Sequence, residues 1–277
     1  MISLLTKVHI HPVLWVVLGI GIVTGMFKEV MMLFFIVFMH EMGHSWMAHR
    51  FRWRIKKIHL LPFGGMAETE EYGNRPVKEE ILVTIFGPLQ HLWLIAASYF
   101  LLFTPFWTFE DHQIFLFHNL TILLFNLLPI LPLDGGKLLY SLTTSFFPFH
   151  RSYYVSFASS ITILSLLTFL CLTILPFHLN LMMIAAFLWV HHYLEWKQRH
   201  YMFLRFLLER KRLKPQGKEK VIHVPLTTTV AEAVKNVYRG KVHLFFTDKH
   251  GCLIHEANVI EAFFDRDKRK LPIKKIP

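Results

Sequence analysis

The chain has 277 residues, of which 53% are hydrophobic and only 18% are charged. With a mean hydropathy of +0.40, this composition excludes an ordinary soluble domain and favours a membrane protein with several spans. Much of the formal net charge of +11 follows Tyr193, which favours a tail beside an anionic membrane surface and argues against a nucleic-acid partner.

Apolar stretches of membrane length predict about six transmembrane helices. In chain order they are Pro12–Phe27, Val30–Ala48, Ile81–Phe103, Ile114–Leu133, Tyr153–Leu175 and Phe177–Leu194. The predicted fold class is therefore an all-α polytopic membrane protein over residues 1–200.

The distribution of basic residues predicts the orientation of these spans. The segment from Arg50 to Lys78 is rich in Lys and Arg, whereas Pro105–Gln113 has acidic residues and no Lys or Arg. Loops rich in basic residues stay on the cytoplasmic side of a membrane. We therefore expect a multi-pass cell membrane protein with both termini in the cytoplasm.

The second span contains the motif His40-Glu41-Met42-Gly43-His44. Ionisable side chains inside a membrane are costly unless they have partners, so such residues indicate function. On a helix, H-E-x-x-H places both histidines on one face, one turn apart, which is the arrangement of a hydrolytic zinc site. We predict that His40 and His44 bind zinc and that Glu41 is the general base.

A third metal ligand is expected at the end of the fourth span. Asp134 follows a stretch with prolines at 129 and 132 and precedes two glycines, so the helix is expected to break there and expose the carboxylate. The orientation above brings Asp134 to the same inner half of the membrane as His40 and His44. A catalytic zinc takes three protein ligands and keeps one position open, and Asp134 completes that set.

Between the second and third spans the sequence favours a short β-hairpin. Residues 52–61 suit one strand, Pro62-Phe63-Gly64-Gly65 suits a turn, and Met66–Glu71 suits a returning strand. We expect a re-entrant loop whose edge pairs with an extended substrate, with Phe63 and Gly65 in contact with it. The alternative is a solvated basic loop on lipid head groups.

The tail is predicted to be a small α+β domain. Residues 201–217 serve as a linker, and residues 218–277 follow the order strand, helix, strand, turn, helix. The predicted elements are the strand Val221–Val224, the helix Val230–Tyr238, the strand Val242–Thr247 and a final helix near Ala257–Phe264.

Two motifs in combination resemble the site-2 intramembrane metalloproteases: HEMGH in the second span and NLLPILPLDGG in the fourth. The segments LLPFGGMAE, GNRPVKEE, FGPLQHLW and RHYMFLRFLLERK are similar to the sporulation branch of that family. The resemblance implies one zinc per chain on His40, His44 and Asp134, and catalysis by Glu41. It also places Asn126 and Pro132 near the substrate, although Asn126 alone also suits a hydrogen bond between helices.

The same resemblance implies the biological setting. The substrate would be the membrane-associated pro-form of a sporulation sigma factor, the regulators would be inhibitory membrane proteins, and the location would be the membrane surrounding the forespore.

The tail resembles a single cystathionine-β-synthase (CBS) motif. Such motifs work in pairs, so one copy per chain implies a homo-oligomer, and the resemblance implies adenine-nucleotide sensing with ATP as the ligand. The sequence departs from the family's Thr-x-x-Asp ribose contact, because His255 and Asn258 stand at those positions.

Two rival functions are weighed against a protease. One is a transporter or channel gated by the CBS domain, in which intramembrane His, Glu and Asp form an ion path. The sequence shows no inverted repeat that would support it. The other is a zinc peptidase with a soluble catalytic domain, which the lack of a large soluble segment around the H-E-x-x-H motif disfavours.

Overall fold

The computed structural model describes residues 8–10, 12–61, 64–69, 71, 73–173, 179–213, 218–225, 227–247 and 252–276. The helices are α1 (Pro12–Val23), α2 (Phe27–Arg50), α3 (Val77–Leu101), α4 (Phe109–Asn126), α5 (Asp134–Phe146), α6 (Phe149–Thr173), α7 (Leu179–Leu213), α8 (Val230–Ala233) and α9 (Glu256–Phe264). The strands are β1 (Val8–Ile10), β2 (Ile55–Leu61), β3 (Gly64–Thr69), β4 (Lys218–Val224), β5 (Lys241–Thr247) and β6 (Cys252–His255).

The chain divides into two compact units. The first comprises Met1–Glu71, Lys78–Leu128 and Leu133–Leu138, and the second comprises Tyr72–Val77, Pro129–Pro132 and Leu139–Pro277. The first unit therefore contains α1 to α4, the hairpin and the start of α5. The second contains α6, α7 and the tail.

Within the described ranges, three helices are long and apolar enough to cross a membrane: α2, α3 and α6. Each presents large apolar side chains outward, as lipid-facing helices do; Phe35, Leu92 and Phe169 are 45%, 56% and 61% exposed. The other predicted spans overlap α1, α4 and α7, which the same criterion does not select. The six-span count stays a prediction.

The predicted span Ile114–Leu133 is divided. Helix α4 ends at Asn126, and α5 begins at Asp134. Proline lacks the backbone N–H that a helix interior needs, so the prolines at 129 and 132 do not continue α4. The glycine pair was expected to belong to this break, but it lies in the first turn of α5. A Cβ at Gly135 would overlap the carbonyl oxygens of Leu127 and Leu128, so glycine permits the close approach.

The first unit contains the hairpin expected from the sequence, with one addition. Strands β2 and β3 pair antiparallel, with Leu61 opposite Gly64, and β1 pairs parallel to β2, with Val8 opposite Ile58. Strand β1 was not predicted from the sequence. The sheet order β1-β2-β3 leaves β3 at the edge of this sheet as described.

In the second unit, the tail forms a sheet of order β4-β5-β6, with β4 parallel and β6 antiparallel to β5. The predicted helix Val230–Tyr238 is shorter than expected, because α8 ends at Ala233 and a 3₁₀ turn, Val234–Asn236, follows. Thr229 caps α8 through a capping box with Glu232. Strand β6 was not predicted.

Helix α7 continues through most of the segment that the sequence analysis assigned to a linker. Its last turns supply Phe206 and Leu207, both 0% exposed, to the core of the tail. The other members of this core come from every element of the tail and include Val224, Val230, Val237, Phe245, Ile254, Val259, Ile260, Phe263 and Ile273.

A buried ionic network fixes α7 to the tail. Arg210, 2% exposed, binds both carboxylate oxygens of Glu256, and His243 Nδ1 lies 2.5 Å from Glu256 Oε2. Burial on its own raises the pKa of Glu256, but the hydrogen bonds from His243 and Arg210 outweigh it and lower the pKa, while burial lowers the pKa of His243. Both groups bind protons less tightly when folded, so the stability they contribute falls as pH drops below about 6.5.

Removing Arg210 should therefore destabilise the tail. Arg210→Ala leaves Glu256 buried without its cation, and the expected loss is about 3–5 kcal/mol of unfolding free energy. The matched control is Lys211→Ala, because Lys211 makes only an exposed 3.7 Å pair with Glu261 and should change stability by about 1 kcal/mol or less. Limited proteolysis of the full chain at rising temperature measures both, and equal midpoints for the two variants would contradict the expectation.

Candidate functional site

Helix α2 holds three buried ionisable side chains on adjacent positions of one face. His40, Glu41 and His44 are 4%, 7% and 8% exposed. A ring nitrogen of each histidine and a carboxylate oxygen of Glu41 all lie within 4.8 Å of one another. Asp134, the first residue of α5, is 2% exposed and lies against the two histidines.

Three atoms of this cluster form a nearly equilateral triangle. Asp134 Oδ2 lies 3.0 Å from His40 Nε2 and 3.0 Å from His44 Nε2. The two Nε2 atoms are themselves 3.0 Å apart. The structure therefore brings together the three residues that the sequence analysis assigned as metal ligands.

The surrounding hydrogen bonds determine which ring nitrogen of His44 carries its proton. His44 Nδ1 lies 2.8 Å from the carbonyl oxygen of Val83, which can only accept, so Nδ1–H donates to it. In the neutral ring, Nε2 of His44 then presents a lone pair to Asp134 and His40. Asp134 Oδ1 accepts from Lys137 Nζ at 3.1 Å, whereas Oδ2 has no hydrogen-bond donor among the described residues.

This donor set fits a zinc ion. Lone pairs that converge without a hydrogen atom between them repel one another, and a cation at their common focus removes that repulsion. A tetrahedral zinc with ligand distances of about 2.0–2.1 Å has neighbouring donors about 3.3 Å apart. The observed edges of 3.0 Å are close to that spacing. Two imidazoles and one carboxylate are also a common ligand set of catalytic zinc.

Gly87 of α3 leaves room for the His44 ring at the place where α2 packs closely against α3. A Cβ at Gly87 would overlap the His44 imidazole, so only glycine permits α3 to pass at this distance. Glycine at a helix contact is a frequent feature of membrane proteins, where small residues let backbones approach.

The remaining predicted site residues lie outside the triangle. Asn126 is the last residue of α4, and its Nδ2 donates to Ile122 O at 3.0 Å within the same helix. Pro132 belongs to the second unit, in a segment where Leu131 N–H donates to Ser160 Oγ at 2.8 Å. Gly65 lies in β3 opposite Leu60, and Phe63 falls outside the described residues. The predicted substrate roles of these four residues stay predictions.

Two residues beside the cluster were not predicted from the sequence to belong to the site. His91 Nε2 lies 3.0 Å from His40 Nδ1, and Asn119 Oδ1 is hydrogen-bonded to His91 Nδ1. No site role was predicted for Asn119 or for His91. The position of His91 within the apolar run FGPLQHLW was the available signal, because an ionisable residue in a membrane helix indicates function.

Comparison with known proteins gives concordant matches. Residues 28–113 match the model of peptidase family M50. Stage IV sporulation protein FB of Bacillus subtilis is 41% identical over 275 residues, which cover 97% of this chain and 94% of that protein. A zinc metalloprotease of Methanocaldococcus jannaschii is 31% identical over 156 residues, covering 53% of this chain and 44% of that protein.

A solved structure shows the same fold. The site-2 protease from Methanocaldococcus jannaschii superposes with a TM-score of 0.51 at 24% identity, covering 68% of this chain and 89% of that chain. The segment of this chain that matches the family model contains the whole H-E-x-x-H motif, His91 and the beginning of α4.

Proposed function

Because this chain belongs to peptidase family M50, the site-2 zinc metalloproteases, we propose that it hydrolyses a peptide bond of a membrane-associated pro-protein near the cytoplasmic face. The observation that carries this proposal is the buried triangle of His40 Nε2, His44 Nε2 and Asp134 Oδ2, with 3.0 Å edges. His40 and His44 lie on α2, one of the helices apolar enough to span a membrane, which favours a substrate that is itself at the membrane.

The residues of the cluster have separate roles in this reaction. His40, His44 and Asp134 hold zinc, and bound zinc supplies Lewis acidity to the attacking water and to the scissile carbonyl. Glu41 accepts a proton from the attacking water and passes it to the nitrogen of the leaving amine. Lys137 bonds to Oδ1 of Asp134, which leaves Oδ2 directed at the histidines.

The biological substrate follows from similarity alone. A relative that is 41% identical over nearly the whole chain is called a sporulation protein, which supports a role in endospore formation. We infer that the substrate is the membrane-associated pro-form of a sporulation sigma factor and that membrane proteins inhibit the enzyme. The location would be the membrane surrounding the forespore, with both termini in the cytoplasm, as the basic loops predict.

The hairpin is the proposed docking place for an unwound substrate. A protease cannot reach a peptide bond inside an intact helix, because the bond's polar groups are engaged in helical hydrogen bonds. An edge strand offers the backbone groups that an extended peptide needs. Since β1 pairs with β2, we propose that substrate pairs with β3, near Gly65 and Phe63. Asn126 and Pro132 are proposed as further substrate contacts on the resemblance alone.

The tail is proposed to be a CBS-type regulatory domain. The parallel pair β4 and β5 with the flanking helices α8 and α9 is compatible with a single such motif. Glu256 has a structural role in the Arg210 network. His255, the last residue of β6, and Asn258, in the first turn of α9, stand at the positions where the resemblance expects contacts to a nucleotide. We infer ATP binding and self-association through this domain.

Glu41→Gln tests the central proposal. The substitution removes the proton acceptor and keeps the side-chain volume, so cleavage should fall by about 10²–10⁴-fold while zinc content stays at one per chain. Glu29→Gln, in the first turn of the same helix, is the matched control and should cleave normally. The assay is co-expression with a membrane-tethered pro-sigma factor, read as the amount of shortened product. Normal cleavage by Glu41→Gln would refute the mechanism.

Single cysteines at Phe63 and Met66 test the docking of substrate on the hairpin. With Cys171 and Cys252 replaced by serine, both positions should cross-link to a cysteine near the cleavage site of the substrate. A cysteine at Phe106, 87% exposed and predicted on the opposite side of the membrane, should give no product. Equal cross-linking at Phe106 would contradict the hairpin proposal.

Calorimetry with the full-length chain in detergent tests nucleotide binding. ATP should release heat with the wild type, and Asn258→Ala should weaken binding relative to the exposed-site control Glu261→Ala. Analytical ultracentrifugation of the same samples measures how many chains associate in solution. A wild-type chain that gives no heat with ATP and sediments as a monomer would refute the regulatory proposal for the tail.

A further inference from the structure

We propose that His91 and Asn119 are positioning residues that fix the orientation and tautomer of His40, so that His40 Nε2 faces the metal. This inference rests on the proposed zinc role of His40. It assigns a function to two buried residues on helices α3 and α4 that are not ligands themselves.

Asn119, His91 and His40 are joined by hydrogen bonds, and Asn119 determines which atom of each pair is the donor. Its amide Nδ2 lies 3.5 Å from the carbonyl oxygen of His91 and must be the donor there. Its Oδ1 therefore faces His91 Nδ1, and an amide oxygen only accepts, so His91 Nδ1 carries the proton. This determines the tautomer of His91.

The proton on His91 Nδ1 determines the tautomer of His40 in turn. Nε2 of a neutral His91 presents a lone pair, and it lies 3.0 Å from His40 Nδ1. Nδ1 of His40 must donate to it, which leaves the lone pair on His40 Nε2. That atom is the one that lies 3.0 Å from Asp134 Oδ2 and 3.0 Å from His44 Nε2.

Because His91 and Asn119 are buried, the protein itself must satisfy their hydrogen bonds, which restricts the tautomers of His91 and His40. His91 and Asn119 are both 0% exposed, so water cannot replace a missing partner. A buried polar group without a hydrogen bond costs several times RT, so each member of the chain of bonds holds the next in one orientation. Both ring nitrogens of His91 are engaged, which excludes His91 as a metal ligand.

The two histidine ligands are supported differently. His44 donates to a backbone carbonyl, Val83 O, which no substitution of Val83 removes. His40 depends on two side chains, which substitution can remove. Hydrogen bonds to the outer nitrogen of a ligating histidine orient the ring and raise its basicity, and their loss typically lowers metal affinity by about 10–100-fold.

The test measures zinc affinity and cobalt spectra of purified full-length variants. His91→Phe keeps an aromatic ring and removes the acceptor, and it should weaken zinc binding by about 10–100-fold in competition with a chromophoric chelator. The visible bands of the Co²⁺-substituted protein should also shift, because the ligand geometry changes. Asn119→Leu should act in the same direction, whereas Asn119→Asp keeps an acceptor oxygen and should restore the wild-type spectrum.

His112→Phe is the matched control. His112 is also a buried histidine, 4% exposed, and its Nδ1 bonds to Ser98 Oγ at 2.8 Å, joining α4 to α3 away from the cluster. The control should leave zinc affinity and the cobalt bands unchanged even where it lowers thermal stability. A general loss of packing would affect His112→Phe and His91→Phe alike.

The outcomes separate this inference from the proposed function. Wild-type zinc affinity and cobalt bands in His91→Phe, or a loss in Asn119→Asp equal to that in Asn119→Leu, would overturn the positioning role and leave the protease proposal intact. If His91→Phe does not fold, the two Asn119 variants decide. A wild-type chain that binds no zinc, or binds it equally well without His40, would instead refute the proposed function.

Discussion

Three buried acceptor atoms that point at one another are the constraint on which the structure depends. Nε2 of His40, Nε2 of His44 and Oδ2 of Asp134 are mutually 3.0 Å apart. Burial limits the screening of their repulsion by water and salt, and a cation at their common focus would remove that repulsion. The outer hydrogen bonds, from His44 to Val83 and from His40 to His91, keep those lone pairs directed inward.

The surrounding helices serve this cluster in distinct ways. Helix α2 supplies two proposed ligands and the proposed base, α3 supplies the Val83 carbonyl and the His91 ring, and α4 supplies Asn119. Gly87 lets α3 pass close to the His44 ring. The end of α4 at Asn126 allows the chain to turn and begin α5 with Asp134, so a break in a predicted span places the proposed third ligand against the two histidines.

Much of the geometry of this site could be predicted from the sequence, because its proposed ligands are ionisable residues in apolar surroundings. His40, His44 and Asp134 were assigned as one ligand set, and the structure brings them together. The family assignment is confirmed by a relative that is 41% identical over 97% of the chain, and it replaces the transporter and soluble-peptidase alternatives.

Strands β1 and β6 were missed, because each is too short to show a periodic pattern and depends on pairing with a distant or following segment. His91 was missed as well, because its role depends on Asn119, 28 positions away in sequence.

The X-ray absorption spectrum of zinc in the purified chain tests the central claim most directly, because it reads the ligand atoms themselves. With His40, His44 and Asp134 as ligands, the wild type should show a shell of nitrogen and oxygen only, at about 2.0–2.1 Å. Asp134→Cys should show one sulfur at about 2.3 Å in place of one oxygen, since the third ligand is then a thiolate. A wild-type spectrum with sulfur in the shell, or an Asp134→Cys spectrum identical to that of the wild type, would contradict the assignment of Asp134 as the third ligand.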